Sequence, residues 1–182
     1  MKLFPEFTFT LLNGFLLIIA MMVLRFGIPA LVRKQSLKEM DFFPPVQGTE
    51  KPMLTLYTIC NILLVLSPLA MRIHPDTPIA IPGWILYAMG LMVIAISMLH
   101  FSREETGLRT DGIFRFSRNP IYVGYFLIYL GISLLVGSWM YLLLAVIYQI
   151  GCHFVVLSEE RWCENTYGQA YREYKQKVRR YI

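Results

Sequence analysis

The chain has 182 residues, 56% of them hydrophobic and 16% charged, with a formal net charge of +5 and a mean hydropathy of +0.52. A soluble domain of this length carries more charge and shorter apolar runs, so the composition points to an all-α, polytopic membrane protein. The basic surplus has no nucleic-acid motif and no C-x-x-C or similar ligand spacing beside it; it suits an anionic membrane surface, with no nucleic acid and no metal expected.

Apolar blocks at residues 7–30, 54–71, 81–99, 121–136 and 140–157 predict about five transmembrane helices. The first block is too long for a signal-peptide core and lacks a small-x-small cleavage site, so it reads as a span. Between it and the second block, Pro44-Pro45, Gly48 and Pro52 mark turns that follow a short surface helix. The connector "RIHPDTPIAIPG" is stiffened by three prolines, with Trp84 and Tyr87 at the interface beyond it. Only Gly137-Ser138 separates the last two blocks, which predicts a tight helical hairpin. After it Tyr167, Tyr171, Tyr174, Val178 and Tyr181 recur at helical spacing opposite a basic face. That pattern predicts a C-terminal amphipathic helix, lying in the headgroup plane or packed on the protein.

Arg33, Lys34, Lys38 and Lys51 fall in the first inter-span loop, Arg103, Arg109, Arg115 and Arg118 in the third, and Arg161, Arg172, Lys175, Lys177, Arg179 and Arg180 after the last span. The other side has Lys2 and Arg72. The positive-inside rule then puts the N-terminus outside and the C-terminus in the cytoplasm. Residues 1–100 hold three spans and their loops; residues 101–182 hold a loop, the hairpin and the terminal helix, all as one integrated domain. Cys60, Cys152 and Cys163 are an odd number without a disulfide framework and read as packed, reduced thiols.

Asn119-Pro120 reads as a helix start, with Asn as N-cap and Pro at the first helical position. Arg118 and Tyr122 flank it. On the last span Gln149, His153, Val156 and Glu160 form one helical stripe, and Tyr148, Cys152, Val155 and Glu159 a second. Ionisable residues at a span edge are costly and mark functional candidates. The hairpin would bring Arg118 and Tyr122 to Glu159-Glu160 at one membrane edge, either as a pocket or as a salt bridge pinning the helices. Gly107 and Gly112 in the preceding loop permit close backbone approach.

"TDGIFRFSRNPIYVG", followed after the hairpin by "EERWCENTYGQAYREY", resembles the isoprenylcysteine carboxyl methyltransferase and phospholipid methyltransferase superfamily of integral membrane enzymes. Its signature is Arg-His-Pro-x-Tyr-x-Gly, a hydrophobic hairpin, then Glu-Glu-x-x-Leu-x-x-x-Phe-Gly-x-x-Tyr-x-x-Tyr. Arg118, Pro120, Tyr122, Gly124, Glu159, Glu160, Gly168, Tyr171 and Tyr174 fall in place, and Asn119 stands where the superfamily has histidine. The resemblance covers roughly residues 104–182.

It implies an S-adenosylmethionine-dependent methyltransferase acting on a lipidic or small apolar acceptor: an isoprenylcysteine carboxylate, a phospholipid amine or a thiol. Thr106, Gly107, Leu108 and Arg109 would line the methyl donor, with Phe114 in place of a superfamily tyrosine. Arg118, Asn119, Pro120, Tyr122, Glu159 and Glu160 would hold it from the helix ends. Gln149 and His153 would face the acceptor, and for an amine acceptor Glu160 or His153 is the candidate base. Val155 occupies the place where the eukaryotic carboxyl methyltransferases carry a basic residue, which favours a thiol or amine over a carboxylate unless Arg103 or Arg115 substitutes. The rival readings are an NADPH-dependent sterol-type membrane reductase and a non-catalytic membrane scaffold.

Overall fold

The computed structural model describes residues 1–8, 13–40, 44–48, 50–103 and 107–182. Helix α1 (Phe15–Met22) continues through a π-helical turn (Val23–Gly27) into α2 (Ile28–Val32). Pro29 explains the turn: it lacks the N–H that an α-helix would donate to the Arg25 carbonyl, and its ring crowds that oxygen. Helix α3 (Gln35–Met40) is the short surface helix expected in the first loop. Helix α4 (Glu50–Leu66) ends in a 3-10 turn, and α5 (Ala80–Arg103) returns across the bundle. Helices α6 (Pro120–Leu135), α7 (Trp139–Tyr167) and α8 (Gln169–Lys177) complete the chain.

Phe15–Val32, Glu50–Ala70, Ala80–Arg103 and Trp139–Tyr167 are each long and apolar enough to cross a membrane. With α6, an apolar helix of 16 residues, they make an all-α polytopic membrane protein. At about 1.5 Å per residue α6 is roughly 24 Å long, short of a ~30 Å hydrocarbon core. It is built into the bundle against α5, with which it shares its main interface. Glycines allow that contact. A Cβ on Gly90 would lie 2.8 Å from the Gly124 carbonyl oxygen, and one on Gly131 would lie 2.7 Å from the Tyr87 nitrogen. Small residues thus let the two backbones meet.

The expected hairpin exists as α6 and α7 joined through Gly137, which turns the chain at φ 64°. Away from that turn α7 packs mainly on α4, where a Cβ on Gly151 would stand 3.1 Å from the Tyr57 backbone. Helix α7 runs 29 residues, about 43 Å, so Glu159 and Glu160 lie inside a helix rather than at its end. The C-terminal aromatic stripe is not one helix. Gly168, at φ 56°, breaks it, and Val178 is extended after α8. Tyr171 and Tyr174 turn inward and are buried, so this stripe packs on the protein.

Candidate active site

The loops at one end of the bundle, here the basic end, converge on the starts and ends of these helices. Before α6 the chain makes a 3-10 turn (Gly112–Arg115) that buries Phe114. Gly112 has φ +57°, and any Cβ there would fall 1.9 Å from the His100 ring, so only glycine fits. The Tyr174 hydroxyl donates to the Phe114 carbonyl at 2.6 Å, docking α8 onto this turn.

Asn119 is the N-cap residue of α6 and Pro120 its first helical residue, as expected, but the Asn119 amide does not cap. Instead its Nδ2 donates to the Arg180 carbonyl at 3.2 Å and reaches Glu160 Oε1 at 3.5 Å. Arg118 Nη2 donates to Glu160 Oε1 at 2.8 Å, and Arg180 reaches both Glu160 oxygens at 3.0 and 2.9 Å. The Glu160 hydrogen bond holds the Arg180 guanidinium above its ordinary pKa. Glu159 takes a different partner: the Tyr122 hydroxyl donates to its Oε1 at 2.6 Å.

Around these groups lies a cavity of about 210 Å³. Gly107, Leu108, Arg109, Phe114, Arg118, Asn119, Pro120, Tyr122, Glu159 and Glu160 all line it, with Tyr167, Tyr171 and Tyr174 contributing rings. Thr106 lies outside the described residues. Arg118 Nε is buried with no hydrogen-bond partner among the described residues, although both terminal nitrogens are engaged. A buried guanidinium N–H left free is a donor awaiting an acceptor.

Arg109 is fixed by a strap from the first half of the chain. Its Nη2 donates to Glu39 Oε2 at 2.6 Å, its Nε to the Phe101 carbonyl at 3.1 Å, and its guanidinium sits 3.8 Å over the Phe101 ring. Arg33 grips Glu39 with two hydrogen bonds of 2.9 Å. Partial burial opposes the charge on Glu39, but the hydrogen bonds and charges of Arg33 and Arg109 outweigh it and keep its pKa below the usual carboxylate value.

A second cavity of about 240 Å³ adjoins the first and shares Phe101, Ile121, Tyr122, Glu159, Trp162 and Cys163 with it. Its remaining wall comes from Arg25, Glu39, Met40, Pro44, Tyr57, Met98 and Tyr125. The residues expected to face an acceptor line neither cavity. Val155 is packed in the core, His153 Nδ1 meets the Tyr181 hydroxyl at 3.0 Å, and the Gln149 side-chain oxygen is buried without a partner among the described residues. Arg103 and Arg115 are exposed, Arg115 pairing with Asp111. Arg25 and Glu39 carry no motif. The signal for Arg25 was present as a single charge inside an apolar block; nothing in the sequence marks Glu39.

The phospholipid methyltransferase family profile matches residues 79–170, from the start of α5 through the break at Gly168. The chain belongs to the phospholipid methyltransferase family. A protein-S-isoprenylcysteine O-methyltransferase of Schizosaccharomyces pombe is 34% identical over 73 residues, 39% of this chain and 30% of that relative. The chain thus matches less than a third of that protein's length. The family match takes in α5, the loop, α6 and α7, hence the shared wall of Tyr122 and Glu159. Tyr171, Tyr174 and Arg180, which close the cavity or tie down Glu160, lie beyond it.

Proposed function

We propose that the protein is a membrane methyltransferase that uses S-adenosylmethionine and acts on a lipidic or small apolar acceptor. The observation that carries this reading is the pair of adjoining cavities that share the wall of Tyr122 and Glu159, the first lined by Arg109, Arg118 and several aromatic rings, the second by Arg25 and mostly apolar side chains. The residues of the first cavity suit the donor. Arg118 Nε offers a free buried N–H to a carboxylate, Glu159 accepts from an amine or ribose hydroxyl, and the rings of Phe114, Tyr171 and Tyr174 offer faces to a base. When bound, S-adenosylmethionine supplies an electrophilic methyl group on a cationic sulfur.

The chain's own contribution is alignment and exclusion of water. Tyr122 holds Glu159 in one orientation, and α8 closes the cavity through Tyr174. Glu160 is saturated by two guanidinium groups, and His153 is turned to Tyr181, so neither is free to act as a base. A carboxylate or thiolate acceptor needs none, and proximity with desolvation then carries the rate. The distribution of basic residues supports a cytoplasmic site and C-terminus with the N-terminus outside.

Titrating the purified protein in lipid nanodiscs with S-adenosylhomocysteine, and separately with NADPH, tests this. Saturable binding of the first alone supports the proposal, and binding of NADPH alone supports the reductase. If neither binds, the scaffold reading stands, with the Arg118–Glu160 pair as a pin between helices.

A further inference from the structure

Arg25 is a cation within a membrane-crossing helix, placed on the π-helical turn that Pro29 imposes. Such a charge is costly unless partnered or given a role. Its guanidinium has five N–H donors. The partners it has are the Tyr125 hydroxyl, to which Nη1 donates, and the rings of Phe26 and Tyr125, each 5.4 Å from the guanidinium carbon. Among the described residues no carboxylate pairs with it. The second cavity also holds Glu39 and Glu159, but Glu39 is neutralised by Arg33 and Arg109, and Glu159 is engaged by Tyr122. The rest of that wall is mostly apolar, including Met40, Met98, Ile121 and Trp162.

We infer that Arg25 is the specificity-determining residue of this second cavity, selecting a membrane-dissolved amphiphile with a carboxylate head group and an apolar tail. The inference rests on reading the second cavity as the acceptor's chamber. A planar guanidinium pre-oriented by a phenol and a ring face matches the two oxygens of a carboxylate, and low dielectric makes the contact selective. The apolar wall takes the tail. The cation absent at Val155 is thus supplied by the first membrane helix instead of the last, and Tyr125 is its positioning residue.

The test uses the full chain in nanodiscs with two probes, a dansyl-labelled fatty acid and its carboxamide, read by energy transfer from the protein's tryptophans. The wild-type protein should bind the acid about tenfold to a hundredfold more tightly than the amide, as a charge-assisted contact gives. Arg25→Gln should abolish that preference while leaving amide binding intact. Arg25→Lys, which keeps the charge and loses the planar fork, should retain part of it and serves if the glutamine variant does not fold. Equal binding of acid and amide by the wild type, or a preference that survives Arg25→Gln, overturns the inference. S-adenosylhomocysteine binding, measured on the same samples, should not change with Arg25→Gln because Arg25 lies outside the first cavity. Loss of that binding in the wild type defeats the methyltransferase reading, while the acid preference is read independently.

Discussion

Arg118 and Glu160 form a buried ion pair, Nη2 to Oε1 at 2.8 Å, with side chains 7% and 5% exposed. The adjacent carboxylate, Glu159, points instead to Tyr122 and into both cavities. Two consecutive glutamates therefore take different partners: Glu160 is tied to the guanidinium groups of Arg118 before α6 and Arg180 after α8, and Glu159 to the Tyr122 hydroxyl in the wall shared by both cavities.

Glu160→Gln should destabilise the fold, because it leaves Arg118 and Arg180 as uncompensated cations in or near the core. Breaking one side of a buried pair costs roughly 3–5 kcal/mol. Cys60 and Cys152 are buried free thiols, so their reactivity toward a thiol dye during heating reports the loss directly. A variant that melts with the wild type would show that the pair contributes nothing to the fold.

Glu159→Gln and Tyr122→Phe should leave melting within about 1 kcal/mol of wild type and weaken S-adenosylhomocysteine binding, by roughly tenfold or more for Glu159→Gln. Since the two side chains share one hydrogen bond, the double variant should lose less than the sum of the single losses. Additive losses in the cycle would mean that the two groups act separately.

The strap through Glu39 should be pH-dependent. Its folded pKa lies below the ordinary value of 4.5, so its stabilisation is fully present above that value and is lost as pH falls through the folded pKa. Wild type should therefore melt above Glu39→Gln at about pH 7, and the difference should shrink toward zero at about pH 3. An undiminished difference in acid would assign the effect to packing rather than charge.

Reporters fused at the two termini should lie on opposite sides of the membrane, the N-terminal one outside and the C-terminal one cytoplasmic. The geometry behind this is that α6, although only 16 residues long, packs along α5 as its main partner in the bundle. Termini on the same side would mean that α6 does not cross.

The parts of the site legible in the sequence are those fixed by local spacing. Asn119-Pro120 opens α6, and the two stripes that end in Glu159 and Glu160 follow from helical periodicity, so their meeting with Arg118 and Tyr122 required only a hairpin. Arg25 stood out only as a lone charge in an apolar block; its placement was not legible, because it depends on Tyr125, one hundred residues away, and on a π-helical turn that Pro29 creates. Glu39 sits in an unremarkable surface helix, and its pairing with Arg109 joins segments 70 residues apart. The C-terminal stripe misled because periodicity continues through Gly168 while the backbone does not; a positive φ there separates α7 from α8.

Transfer of a labelled methyl group from S-adenosylmethionine into the organic-soluble fraction, by purified protein in nanodiscs of native lipid extract, tests the central claim most directly. The wild-type protein should incorporate label, and Glu159→Gln, folded by the thiol-reactivity test, should incorporate much less. A wild-type protein that binds S-adenosylhomocysteine but transfers no label, or a Glu159→Gln variant as active as wild type, would contradict a methyl-transfer site built around Tyr122 and Glu159.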